Sequence, residues 1–120
     1  MDEELRFAGL VVAPEVVETI VRLAAEKVEG VASVGVPTDL GNVFSLFSAR
    51  KPLGMPAVGV KVEDGSIRAA VHLTVFFGYP FVKLAEDVRL AVAAGISSQV
   101  GVEVAGVDVF IDALVFPKEK

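Results

Sequence analysis

The chain has no cysteine, one histidine and one tyrosine. Without thiols there are no disulfides, no thiol catalysis, no iron–sulfur ligation and no Cys-based zinc site. A single histidine excludes a multi-histidine metal centre within one chain. Cations are also scarce. Eleven Lys and Arg face sixteen Asp and Glu, for a net charge of −5. Duplex binding draws on clustered cations that neutralise phosphates, so this balance argues against a nucleic-acid partner. No uncharged run approaches the ~18 apolar residues of a membrane span. Leu73 to Val82 is interrupted by Gly78 and Pro80, and Leu90 to Val102 carries Ser97, Ser98 and Gln99. The start, Met1-Asp2-Glu3-Glu4, is acidic, where a secretory signal would be basic. The expectation is a soluble, cytoplasmic chain that reaches the inner face of a membrane only through a partner.

What is present is a core. Of 120 residues, 53% are hydrophobic and 22% charged, which excludes a disordered chain. The length predicts one domain over 1–120, able to fold without a disulfide or metal. Leu5 to Val12 reads as a strand closed by Ala13-Pro14. A helix follows from about Pro14 to Val28, with Val17, Ile20, Val21, Ala24 and Val28 on one face. Gly30 ends it, and Val31 to Val36 reads as a short strand. Residues 37–56 form an irregular loop punctuated by Pro37, Gly41, Pro52, Gly54 and Pro56. Val58, Val60 and Val62 then alternate with Gly59, Lys61 and Glu63. After Asp64-Gly65 a second alternating run extends to Phe77. Asp-Gly between two such runs predicts a hairpin, because a type I′ turn needs positive φ at both centres.

Gly78-Tyr79-Pro80 opens a second helix, to about Val100, whose apolar face includes Phe81, Leu84, Ala85, Val88 and Val92. Tyr79 reads as a packing residue at the helix entrance. The last strand, about Val102 to Phe116, is expected to break near Gly106, with Val107, Val109, Ile111, Ala113 and Val115 facing inward. A Val-x-Gly-Val echo at Val28–Val31 and Val104–Val107 suggests two related halves. Together these elements predict an α+β fold of two layers, with both helices on one face of a mostly antiparallel sheet of about four or five strands.

Catalytic chemistry is hard to find. His72 falls on the outward half of an alternating strand, as a general base, a ligand or a partly exposed strand residue. Asp108 and Asp112 share a strand face, but four residues separate them by roughly 13 Å, beyond the ~5–9.5 Å of paired glycosidase carboxylates. No Gly-x-Ser-x-Gly elbow, phosphate-cradling glycine loop or Gly-x-x-Gly clamp occurs. No catalytic residue, metal ligand or cofactor is assigned.

The informative excess is apolar. With the valines turned toward the helices, Phe76, Phe110, Leu114 and Phe116 crowd the opposite sheet face as a candidate interface. The loop adds Phe44, Leu46 and Phe47 as candidate contacts to the domain or a subunit. Between Leu40 and Val62 there is no acid, while Arg50, Lys51 and Lys61 are cationic, a pattern compatible with an anionic membrane surface. The predicted partners are a second copy and another protein. Two alternatives stay open. One is a regulatory module binding a small ligand. The other is a small hydrolase or metal-dependent enzyme using His72 with Asp108 or Asp112.

Several stretches carry a family likeness: Gly9-Leu10-Val11-Val12-Ala13-Pro14-Glu15-Val16-Val17 running into Ala24-Ala25-Glu26-Lys27-Val28-Glu29-Gly30-Val31; Val58-Gly59-Val60-Lys61-Val62; Phe77-Gly78-Tyr79-Pro80-Phe81-Val82-Lys83-Leu84-Ala85; and Val102-Glu103-Val104-Ala105-Gly106-Val107-Asp108-Val109 with Phe116. In this order the chain resembles the alkaline shock protein family of bacterial envelope stress response proteins. The resemblance implies a small cytoplasmic α+β protein of bacteria with no known enzymatic activity; some members are tied to envelope stress, some associate with membranes through a partner, and others are linked to lipid metabolism, which adds a lipid-metabolism enzyme as an alternative partner. It brings no catalytic residues. The Phe44 to Phe47 cluster is not one of its motifs.

Overall fold

The computed structural model describes residues 4–7, 9–35, 45–48 and 56–116. Strands β1 (Leu5–Phe7) and β2 (Leu10–Val12) pair antiparallel as a separate two-stranded ribbon. The single strand expected over Leu5 to Val12 is therefore a hairpin. Gly9 makes the reversal, at φ +92°, a conformation that costs glycine little.

Helix α1 (Pro14–Glu26) opens on Pro14 and has no side-chain cap at Ala13. Burial therefore replaces capping. Val17, Val21 and Ala25 are fully buried, and each buried valine contributes about 1.5–3 kcal/mol against the ~0.5–2 kcal/mol of a good cap. A turn through Gly30 leads to β3 (Val31–Val34).

The main sheet runs β3-β6-β7-β4, and β5 also pairs with β6. β5 (Val58–Glu63) and β3 share one edge of β6 (Ser66–Phe76): β5 covers Ser66–Val71 and β3 covers Leu73–Val75. The hairpin between β5 and β6 turns at Asp64 (φ 52°) and Gly65 (φ 80°), the two positive φ values that a type I′ turn demands. β6 and β7 (Val104–Phe116) are parallel, so they need a crossover. α2 (Phe81–Gln99) supplies it and packs on β7 and α1. The other pairings are antiparallel. This is the expected α+β arrangement. Leu84, Val88, Val92 and Ile96 of α2 meet Ile67, Ala69, Val71, Leu73 and Val75 of β6 in one buried core.

Four further expectations are corrected. The irregular stretch over 37–56 contains a strand, β4 (Ser45–Ser48), paired with β7 from Ser45↔Phe116 to Ser48↔Ala113; much of the rest lies outside the described residues. β7 does not break near Gly106 but carries two register shifts. Ile67 pairs with Val104 and Arg68 with Gly106, leaving Ala105 over; Leu73 pairs with Ile111 and Thr74 with Ala113, leaving Asp112 over. An extra residue reverses the alternation beyond it. Ala113 and Val115, expected to face inward, thus pair with the outward Thr74 and Phe76, while Leu114 pairs with the inward Val75. Finally, the Val-x-Gly-Val echo is not a structural repeat. Gly30 makes a turn at φ +105°, whereas Gly106 lies within a strand beneath the Arg68 guanidinium.

Candidate functional site

The sheet face away from the helices divides into a charged half and a mixed half. In the charged half, Arg68 reaches Glu63 at 3.2 Å and Asp108 at 3.4 Å, and Lys61 lies 3.6 Å from Glu63. Glu63, through a side-chain hydrogen bond and then its charge, holds the Arg68 pKa above its ordinary value, and Asp108 adds to it. Gly59 faces Ala70 across β5 and β6. These small residues, with Lys61, Arg68 and Asp108, leave a hollow of about 300 Å³. Asp108 is thereby committed to Arg68.

The mixed half is built around His72. Its Nδ1 lies 2.7 Å from Oδ2 of Asp112, the residue that the second register shift leaves over. Asp112 is 4% exposed. Which side donates in this contact follows the tautomer of His72; an accepting carboxylate needs the proton on Nδ1. Phe110 stacks on the imidazole at a centroid distance of 4.4 Å and 10° between planes. The backbone of His72 also joins two strands: its N–H donates to Ala57 O, and its carbonyl accepts from Gly35 N–H. Thr74 Oγ1 donates to Gly35 O at 2.8 Å. The arrangement orients an imidazole as a base would be oriented. Among the described residues, however, no hydroxyl is hydrogen-bonded to it, and no three His, Asp or Glu side chains gather to hold a metal ion.

The four candidate interface residues do not share one face. Phe110 and Phe76 lie outward, both half-buried. Leu114 packs against the core, because the extra Asp112 turns it to the helix side. Phe116, two residues on, shares its parity and stacks on Phe77 at 4.8 Å. Of the loop candidates, Leu46 and Phe47 fall in β4, opposite Val115 and Leu114. Phe44, Arg50 and Lys51 lie outside the described residues.

A second apolar region is not apparent from the sequence. At the entrance to α2, Phe77, Phe81 and Val82 are 60%, 48% and 83% exposed. Phe77, Gly78, Tyr79, Pro80 and Phe81 surround a hollow of about 340 Å³. Phe81, expected on the buried face of the helix, is thus half-exposed at its first turn. The signal that would have found the exposed patch is angular: Val82 sits about 200° around the helix from the buried Leu84 at ~100° per residue. Elsewhere, a groove of about 550 Å³ lies between the helices, with Val16, Ile20, Leu23, Lys27, Gly95 and Gln99 among its walls. Among the described residues no helix is long and apolar enough to cross a membrane.

No curated protein matches the chain. Solved structures similar in chain path, and in no more than that, include forms of the MamM CTD. One form is 19% identical, covers 82% of this chain and 92% of its own, and has a TM-score of 0.48. A nickel form is 17% identical, covers 88% of this chain and 99% of its own, and has a TM-score of 0.46. The decisive comparison is with a family model. That of the alkaline shock protein family, described as having a cell envelope-related function, matches residues 4–116. The matched span takes in all the motifs that carried the likeness, and the chain belongs to the alkaline shock protein family.

Proposed function

We propose that this chain is a non-enzymatic interaction protein of the bacterial cell envelope. It acts by associating with itself and by holding a protein partner, and that partner brings it to the inner face of the membrane. The observation that carries this is the placement of apolar surface. Phe77, Phe81 and Val82 stand out at the entrance to α2. Apolar patches of a few hundred Å² mark contact surfaces. The family's envelope-related function supplies the setting.

The test is isolation of the tagged chain from soluble and membrane fractions of its host, alongside Val82→Glu. The expected result is a stoichiometric, membrane-anchored protein with the natural chain and its loss with the variant. A soluble enzyme in its place would favour a regulatory module instead. Recovery of the chain alone would overturn partner binding.

One observation favours a second reading, a small hydrolase: the 2.7 Å contact between His72 and Asp112. Turnover of activated esters by the pure chain, abolished in His72→Gln, would replace the first reading. Activity equal to that of the variant would remove the second.

A further inference from the structure

We infer that the entrance to α2 is a self-complementary surface on which a second copy of this chain docks about a two-fold axis. The inference rests on the self-association proposed above and gives it a location. Residues 76–82 read Phe-Phe-Gly-Tyr-Pro-Phe-Val, seven in succession without a charge, in a chain carrying −5. The structure turns Phe77, Phe81 and Val82 of this run outward. Val82 projects as a knob beside a hollow of about 340 Å³ walled by Phe77, Gly78, Tyr79, Pro80 and Phe81. A knob beside a hole on one surface is what an isologous contact needs, because the two-fold axis sets each knob over the partner's hole. Phe116, stacked on Phe77, stiffens one wall.

The rim selects among occupants. It carries both signs: Lys83, which reaches Asp87 at 3.0 Å, and Glu29, which receives the Tyr79 hydroxyl at 3.3 Å. Mixed signs can pair with their own copies across a two-fold axis. An anionic lipid surface would instead call for a cluster of cations, and residues 76–87 contain one Lys against Glu86 and Asp87. The area sets the strength. Phe77, Phe81 and Val82, at 60%, 48% and 83% exposure, offer roughly 300 Å² per copy, given the ~150–250 Å² of an aromatic side chain. Two copies thus bury roughly 600 Å² before any rim contact, below the ~1,200 Å² lower limit of specific interfaces, so the dimer should be weak and reversible, to be sought at roughly 10–100 µM.

Sedimentation velocity of the full chain across that concentration range tests this, with Val82→Glu, Phe77→Glu and Phe110→Glu alongside and circular dichroism as the check on folding. The expected result is a monomer–dimer equilibrium that Val82→Glu weakens at least tenfold, Phe77→Glu weakens likewise, and Phe110→Glu leaves in place. Val82 is the more exposed of the two patch positions, so its variant keeps the test valid where Phe77→Glu disturbs folding. A dimer indifferent to Val82→Glu, or broken by Phe110→Glu alone, overturns this surface while leaving self-association standing. A chain monomeric throughout overturns both. Growth beyond the dimer excludes the two-fold pairing. Binding to phosphatidylcholine–phosphatidylglycerol vesicles without dimerisation, lost in Val82→Glu, would assign the patch to lipid instead.

Discussion

Tyr79 shows how one side chain joins the entrance of α2 to the turn after α1. Its hydroxyl donates to Glu29 in the turn after α1, and its ring lies against Gly30, where an added Cβ would come within 2.9 Å of two ring carbons. The charge of Glu29, then burial, then the hydrogen bond raise its pKa above the ordinary 10.0. The sign follows directly. A raised folded-state pKa contributes stability that is complete below the unfolded value near pH 10 and is lost as pH rises through the higher folded value. The chain has one tyrosine, so its ultraviolet phenolate signal can be followed without overlap. The expected midpoint lies above 10, and Glu29→Gln should lower it. A midpoint that ignores this substitution would show that Glu29 does not act on the phenol. The packing role of Tyr79 was legible from its place before Pro80. The partner of His72 was legible only as a choice between Asp108 and Asp112: alternation assigns His72 to a face, but which carboxylate lies beside it depends on register, and Asp112 gets there because it is the extra residue of a bulge.

At the scale of elements, legibility follows the range of the interaction. The β5–β6 hairpin was readable because its alternation and its Asp-Gly turn are local. The parallel pairing of β6 with β7 and the strand β4 depend on partners distant in sequence, and β4 is flanked by residues that read as loop. β7 is the instructive case. Perfect alternation predicts Ala113 and Val115 facing the helices, but the extra residue Asp112 in β7 exchanges them for Leu114. No residue near 112 announces the bulge. The consequence separates two residues that strict alternation placed together. Leu114→Ala removes a side chain packed on the core, and its partial exposure puts the cost at the lower end for such truncations, about 2 kcal/mol. Phe110→Ala on the outer face should cost less. Urea unfolding of the two variants decides the matter: a Leu114→Ala midpoint equal to that of the natural chain would return Leu114 to the outer face.

At the scale of the molecule, composition and periodicity carried the fold class because two amphipathic helices and a set of alternating strands have few ways to bury their apolar sides together. Surface chemistry was less accessible, since a phenylalanine reads the same whether it ends in a core or at a helix entrance. The net charge of −5 offers a way to tell what drives assembly. Two like-charged copies repel, and added salt shortens the range of that repulsion from about 10 Å at 0.1 M to about 3 Å at 1 M. An apolar contact of the kind inferred at Phe77, Phe81 and Val82 carries little attraction for salt to screen. Its dissociation constant should therefore fall modestly, by roughly two- to fivefold, as sodium chloride rises over that range. Ion pairs between copies would shift it the other way. A dimer that loosens in salt would place the driving force in Lys83 and its acidic counterparts and reduce the aromatic cluster to a filler between them.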